Sequence, residues 1–283
     1  MKKVNLVGAL EKGIDAMKPE HEWDESKIHV SDLAVVLPPS DRKCHRELWY
    51  RYHGYDKQKR NAGTKLMFLQ GDRLHRMAAE LLEKGLKNWF IEGIEEKVEL
   101  NNITGRYDCC LSNPTENEYM IIDFKTVRGN AFNYLNEPKA SHKLQVQTYM
   151  YATGIDNGAV IYIDREGQNF ARQFYVEPDF IQVQKGIDTA KAIIEKTEPP
   201  AKMSPKIKIN NNKGDDSIVV KEPWQCQYCD FKNISCEGAI PADYEAKLGK
   251  VCGHINQQGF TPLGEVEGIE QYVEPVLKQK EVI

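Results

Sequence analysis

The sequence has no long hydrophobic run. No apolar stretch approaches the roughly 20 residues that a membrane-spanning helix needs. Lys2 and Lys3 stand near the start, but Glu11 and Asp15 interrupt what would be the apolar core of a secretory leader. A cytoplasmic protein is expected. Charge of one sign is also lacking: 38 Lys and Arg face 42 Asp and Glu, a net charge of −4. That excludes a general polyanion binder, so any nucleic-acid surface must be local. There is no G-x-x-x-x-G-K-[ST] phosphate loop, which excludes an ATPase motor within this chain. No internal repeat is visible. Cysteines are few, seven in all, and in a reducing compartment clustered ones bind metal more often than they pair as disulfides.

What remains is an ordinary composition, 41% hydrophobic and 28% charged, over 283 residues. That length holds one large domain or two small ones. The pattern reads as a helix over 4–17 and a short element from Ser31-Asp32-Leu33 to Pro38-Pro39. Helices follow from Asp41 to about His53, stopped by Gly54, and from Thr64 to about Lys84, stopped by Gly85. Strand-like segments lie near 89–100, 102–111 and 118–127. A helix from Ser141 to Thr153 ends at Gly154, a hairpin spans 158–176, and a helix runs from Pro178 to about Lys196. Residues 201–222 read as a loop or small hairpin. This order predicts a mixed sheet flanked by helices.

The chemistry concentrates in Gly105-Arg106-Tyr107-Asp108 and Ile121-Ile122-Asp123-Phe124-Lys125-Thr126. Asp123 and Lys125 are two apart, so in a strand both point to one face. Turn formers at Ser112 to Asn117 predict a hairpin that brings Asp108 beside Asp123. Carboxylates sharing a site repel unless a cation relieves them, and a hard divalent ion with oxygen ligands does so. Upstream, Gly71-Asp72-Arg73-Leu74-His75 offers an imidazole that can add a nitrogen ligand. Gln145 and Tyr149, four apart, share a helix face.

Cys226-x-x-Cys229 and Cys236 supply three thiolates in a short loop, one short of four; Cys44 lies far upstream. By spacing alone, four thiolates suit tetrahedral zinc as well as an iron–sulfur cluster. Cys109 and Cys110 read as packing residues. Cys252, in Cys252-Gly253-His254, is the one substitute ligand. Around Cys44, residues 42–65 carry eight basic residues against two acidic ones, interleaved with Trp49, Tyr50, Tyr52 and Tyr55. Two readings are open: a single-stranded nucleic-acid surface, or a solvated helix face whose aromatics enter the core. His45, His53 and His142 read as structural or DNA-facing.

Taken together, Gly71-x-x-x-His75, Gly105-x-x-Asp108, Asp123-Phe124-Lys125-Thr126 and Gln145-x-x-x-Tyr149 resemble the RecB-like branch of the PD-(D/E)XK nuclease superfamily. They stand in the family order across about 75 residues. The resemblance implies a restriction-endonuclease-like α/β core with a central mixed sheet. It implies Mg²⁺ or Mn²⁺ held by His75, Asp108, Asp123 and the Phe124 carbonyl. Lys125 would act on the attacking water and the phosphorus, and Gln145 and Tyr149 would position the strand or the lysine. Many relatives have Glu where this chain has Asp123.

With the split cysteine set, the chain is similar to the CRISPR-associated RecB-type exonucleases and the AddB-type nuclease domains. That implies a [4Fe–4S] cluster on Cys44, Cys226, Cys229 and Cys236, with zinc as the alternative. The resemblance spans roughly 28–240, leaving an N-terminal helical extension over 1–27 and a C-terminal extension over 241–283. It also implies a bacterial or phage origin. The function expected is a metal-dependent exonuclease on single-stranded DNA or DNA ends, in recombination, repair, phage DNA metabolism or CRISPR adaptation. It would work alone or with a helicase, recombinase or CRISPR adaptation protein. Arg42, Lys43, Arg46, Arg51 and Tyr149 are the expected DNA contacts. The alternative is a non-catalytic iron–sulfur DNA-end-binding module.

Overall fold

The computed structural model describes residues 5–17, 24, 26–38, 41–212, 215–240, 253–256 and 259–262. In chain order the elements begin with α1 (Leu6–Ala16), β1 (Ile28–His29), a 3-10 helix (Val30–Val36), α2 (His45–Tyr52) and α3 (Ala62–Gly85). A strand-rich stretch follows: β2 (Phe90–Ile94), β3 (Lys97–Leu100), β4 (Ile103–Arg106), β5 (Cys109–Asn113) and β6 (Glu118–Val127). Then come α4 (Gly129–Asn133), α5 (Ala140–Thr153), β7 (Gly158–Asp164), β8 (Ala171–Val176) and α6 (Phe180–Ile194). Last are β9 (Lys206–Asn212), β10 (Asp215–Lys221), α7 (Trp224–Gln227), β11 (Gly253–Asn256) and β12 (Gly259–Pro262).

The chain forms two compact units. The first comprises Met1–Lys43 and Arg60–Glu195, the second Cys44–Lys59 and Lys196–Ile283. In the first, β2-β5-β6-β7-β8 make a mixed sheet. Its β6 and β7 run parallel and the other pairs antiparallel. A smaller sheet has the order β1-β4-β3. The expected mixed sheet flanked by helices is therefore present, with the restriction-endonuclease-like arrangement. α3 covers a core of Ala79, Cys109, Leu111, Ile122 and Phe124. The side chain of Asn61 caps α3 by accepting from Thr64 N at 2.8 Å. α5 ends where expected, at Gly154, whose φ of 74° is the left-handed conformation that glycine adopts without strain.

The structure corrects two strands. The segment expected near 89–100 splits into β2 and β3, because Glu95 takes φ 50° and turns the chain out of the larger sheet. The segment near 102–111 splits into β4 and β5, and the chain returns to the larger sheet through Tyr107 and Asp108. The two crossings are joined by Glu95 N donating to Asp108 O at 3.1 Å. Asp108 thus precedes β5 rather than lying inside a strand. α4 was not expected. Residues 201–222 do contain a hairpin, β9 with β10.

In the second unit, the aromatic residues of α2 enter a core. Trp49 and Tyr50 are 3% exposed, and Tyr50 packs on Phe231 with ring centroids 5.7 Å apart. Trp49 Nε1 donates to Lys196 O at 2.9 Å, and Arg46 to Pro200 O at 2.9 Å. Gln58 N donates to Asp230 O at 2.6 Å and Ser235 Oγ to Asp56 O at 2.7 Å. These bonds hold a segment from early in the chain against one from its last third, which places Cys44 beside the later cysteines. Cys252 and nearly all of 241–283 lie outside the described residues.

Candidate active site and cysteine cavity

β5 and β6 form the expected hairpin, in register from Cys109 opposite Ile122 to Asn113 opposite Glu118. Because β5 begins at Cys109, β6 has no β5 partner beyond Ile122. The Phe124 amide is instead satisfied by a side chain: it donates to Asp108 Oδ2 at 2.6 Å. Asp123 and Lys125 share the opposite face, as their spacing requires. Lys125 Nζ donates to Asp123 Oδ1 at 3.0 Å and lies 2.8 Å from Oδ2. Oδ2 is buried and, apart from this ion-pair contact, makes no hydrogen bond.

His75, on α3, places Nδ1 3.3 Å from Asp108 Oδ2, with its ring 5.9 Å from that of Phe124. Burial alone would lower the His75 pKa, but the hydrogen bond and charge of Asp108 outweigh it and raise it. Burial pushes the Asp123 carboxyl up to about 6; Asp108 adds to the rise and Lys125 opposes it. Burial works against the Lys125 ammonium, yet Asp123 and Asp108 together hold it above the ordinary lysine value. The lysine is therefore a resident cation.

From α5, Gln145 Nε2 donates to Tyr149 OH at 3.2 Å. Tyr149 is 3% exposed and meets Tyr107 edge to face at 6.5 Å. Its ring explains a glycine upstream. A Cβ on Gly105 would stand 2.6 Å from Val30 Cγ2 and 2.9 Å from Tyr149 Cε1. The glycine of Gly105-x-x-Asp108 thus makes room for Tyr149.

His142, expected to be structural or DNA-facing, is half-buried beside this group. His142 lies three residues before Gln145 and seven before Tyr149, on the same helix face. Its Nδ1 is 2.8 Å from Tyr162 OH. Tyr162 is fully buried, stands in register with Lys125 on the parallel strand β7, and accepts from Lys139 N at 3.0 Å. Burial first, then the Lys125 and Lys139 charges, push His142 down to about 3. The neutral ring and the tyrosine hydroxyl share one hydrogen bond. The i, i+3, i+7 spacing signals the shared helix face but not the Tyr162 partner.

The structure brings His75 to Asp108, Lys125 to Asp123, and joins the two pairs through the Phe124 amide. Among the described residues no three His, Cys, Asp or Glu side chains converge to hold a metal ion as they stand. The donors are turned toward each other instead. Two oxygens and one nitrogen nonetheless suit a hard divalent ion, and Asp123 Oδ2 is a buried acceptor whose one contact is the Lys125 ion pair.

In the second unit Cys44, Cys226, Cys229 and Cys236 line one cavity, with Tyr50, Lys202 and Lys232 among the other walls. All are free thiols. Burial raises the Cys44 pKa and pushes Cys226 and Cys229 up to about 12. Four thiols on one cavity suit a four-thiolate centre, whose positive charge would reverse that shift. Cys109 and Cys110 are buried in β5, as expected of packing residues; burial pushes them up to about 12 and about 11.

The expected DNA contacts are largely engaged within the protein. Lys43 Nζ reaches the fully buried Asp32 at 3.2 Å. Arg51 pairs with Glu47 at 2.8 Å. Arg46 donates to Tyr50 OH at 3.0 Å and lies over its ring at 5.3 Å. Arg42 is half-buried, and Tyr149 is buried. The structure favours the core reading for Trp49 and Tyr50, while Tyr55 is 45% exposed.

The family model of the PD-(D/E)XK nuclease superfamily matches residues 35–236. No curated protein matches the chain. Among solved structures, the protein SSO0001 is 19% identical, with 82% of this chain and 95% of that one covered at a TM-score of 0.49. An alkaline exonuclease, LHK-Exo, from Laribacter hongkongensis is 16% identical over 60% of this chain and 86% of its own, at 0.44. A phage related exonuclease from Haemophilus somnus 129PT is 17% identical over 60% and 92%, at 0.41. Likenesses this weak carry no chemistry with them. Among the described residues no helix is long and apolar enough to cross a membrane.

Proposed function

The chain belongs to the PD-(D/E)XK nuclease superfamily, and from that premise we propose a Mg²⁺- or Mn²⁺-dependent deoxyribonuclease acting on single-stranded DNA or DNA ends. The observation that carries this reading is the single cluster of His75, Asp108, Asp123 and Lys125, all within the matched residues. His75, Asp108, Asp123 and the Phe124 carbonyl would hold the ion, which when bound supplies Lewis acidity and a more acidic water. Lys125 is held protonated by its carboxylate neighbours. It would orient or help deprotonate the attacking water and stabilise the charge that develops on a non-bridging phosphate oxygen. Asp108 keeps Phe124 in place through the 2.6 Å amide bond. Gln145 holds the Tyr149 hydroxyl, and His142 with Tyr162 braces the strand that carries Lys125 from β7.

For the cysteine cavity we propose a [4Fe–4S] cluster on Cys44, Cys226, Cys229 and Cys236, acting as a structural staple; zinc is the alternative. The four thiols facing one cavity support it. End-labelled single strands, 5′ and 3′ separately, plus a circular single strand, test the activity. Cleavage of the linear strands alone supports an exonuclease. Cleavage of the circle shows that no end is needed, and cleavage of neither these strands nor an end-labelled duplex refutes the nuclease reading.

A further inference from the structure

Two large aromatic rings stand in water at the end of the sheet where β6 and β7 finish. Tyr134 is 84% exposed and Phe170 is 82% exposed. Each directly follows an asparagine, and those asparagines touch: Asn169 Nδ2 donates to Asn133 Oδ1 at 3.4 Å. The loops that carry the rings are built rather than loose. Asp164, 5% exposed, accepts from Glu166 N at 3.0 Å, from Asn169 N at 2.9 Å and from Asn169 Nδ2 at 3.2 Å. Glu166 Oε2 accepts from Gly129 N at 3.2 Å, tying this turn to the start of α4. Arg172 lies over the Phe132 ring at 4.9 Å and donates to Leu135 O. A fixed pair of loops that keeps its aromatic rings out of the core has put them there for a ligand with flat apolar faces.

The position names the ligand. Val127, two residues past Lys125, stands opposite Asp164, whose N–H donates to Phe170 O at 3.1 Å. Strand rise and strand spacing put Phe170 roughly 12 Å from Lys125 along the sheet. That is a span of a few nucleotides of single strand. Arg128 lies on the same path, with its side chain 72% exposed and only a 4.0 Å contact to Glu166. Aromatic faces beside a cation suit unpaired bases on a phosphate backbone, whereas a duplex keeps its base faces stacked on one another.

We propose that Tyr134 and Phe170 form a base-stacking platform, with Arg128 on the adjoining phosphate, that holds single-stranded DNA a few nucleotides from the cleaved bond. The proposal rests on the nuclease reading for its orientation, and it is tested without cleavage. Binding of a single strand containing 2-aminopurine is followed by fluorescence for the full chain. Tyr134→Ala and Phe170→Ala each weaken binding by roughly fivefold or more and lose the 2-aminopurine quenching, while Tyr134→Phe and Phe170→Trp retain both. Blunt duplex binding is unchanged in all four variants. Alanine variants that bind and quench as the wild type does overturn the platform, whatever the cleavage assay reports. Normal loss of binding in a protein that cuts no DNA keeps the platform and refutes the nuclease.

Discussion

Gly105→Ala adds one methyl group at the point where the small sheet, the 3-10 helix and α5 meet. The new carbon would stand 2.6 Å from Val30 Cγ2 and 2.9 Å from Tyr149 Cε1, against an optimum of about 3.5–4.0 Å between carbons. Neither neighbour has room to retreat, since Val30 is 2% and Tyr149 3% exposed. Overpacking of this kind costs roughly 1–3 kcal/mol. In a chain of this size each kcal/mol lowers Tm by about 2–4 °C, so a fall of roughly 2–12 °C is expected by thermal melting. Cleavage falls as well at temperatures where the variant is folded, because Tyr149 is displaced together with its partner Gln145. Val30→Ala in the same chain removes the tighter contact. It recovers stability by about 0.5 kcal/mol or more beyond additivity, but leaves the contact with Tyr149 and hence the loss of cleavage. A Gly105→Ala protein with unchanged Tm and unchanged rate would refute the claim that this glycine exists to admit Tyr149.

His142 provides a pH test. Its folded pKa, about 3, lies below the ordinary histidine value of 6.5. The unfolded chain therefore takes up a proton that the folded one refuses, and stability present above pH 6.5 is lost as pH falls toward 3. The loss approaches about 1.4 kcal/mol per pH unit below 6. His142→Gln flattens that slope in denaturant titrations; an unchanged slope would mean the ring is not buried neutral. Cys226→Ser abolishes the broad absorption near ~400 nm expected of a cluster and lowers Tm, whereas a colourless wild type with one zinc per chain after anaerobic purification would identify the centre as zinc. DNA affinity falls steeply with salt through counterion release, measured by anisotropy from low to high salt, and a flat response would remove phosphate contacts from the account.

Much of the site was legible because it obeys the period of a strand. Asp123 and Lys125 were placed on one face by their spacing, and the turn formers between Ser112 and Asn117 announced the hairpin that brings Asp108 to Phe124. Gly154 marked the end of α5 for the same kind of local reason. The split of the first long strand was not legible, because it depends on Glu95 in a positive-φ conformation that no residue type there signals, and the second splits at Tyr107 and Asp108 where the chain returns to the larger sheet. The basic stretch around Cys44 was legible only as charge. Charge counts do not reveal that Lys43 serves buried Asp32, that Arg51 serves Glu47, or that Trp49 and Tyr50 turn inward. The reason for Gly105 and the link from His142 to Tyr162 needed the packing of α5 on β4 and β7, contacts between residues far apart in sequence.

The central claim is that Asp123 and Lys125 do chemistry on a phosphodiester. It is tested most directly by the initial rate of cleavage of a labelled single strand with Mg²⁺ or Mn²⁺, for the wild type, Asp123→Ala and Lys125→Ala, each first shown to be folded. The account predicts a rate that requires the ion and falls by roughly a hundredfold or more in either variant, the scale of losing one transition-state charge contact. Wild-type cleavage that persists in both variants, or needs no divalent ion, would contradict it.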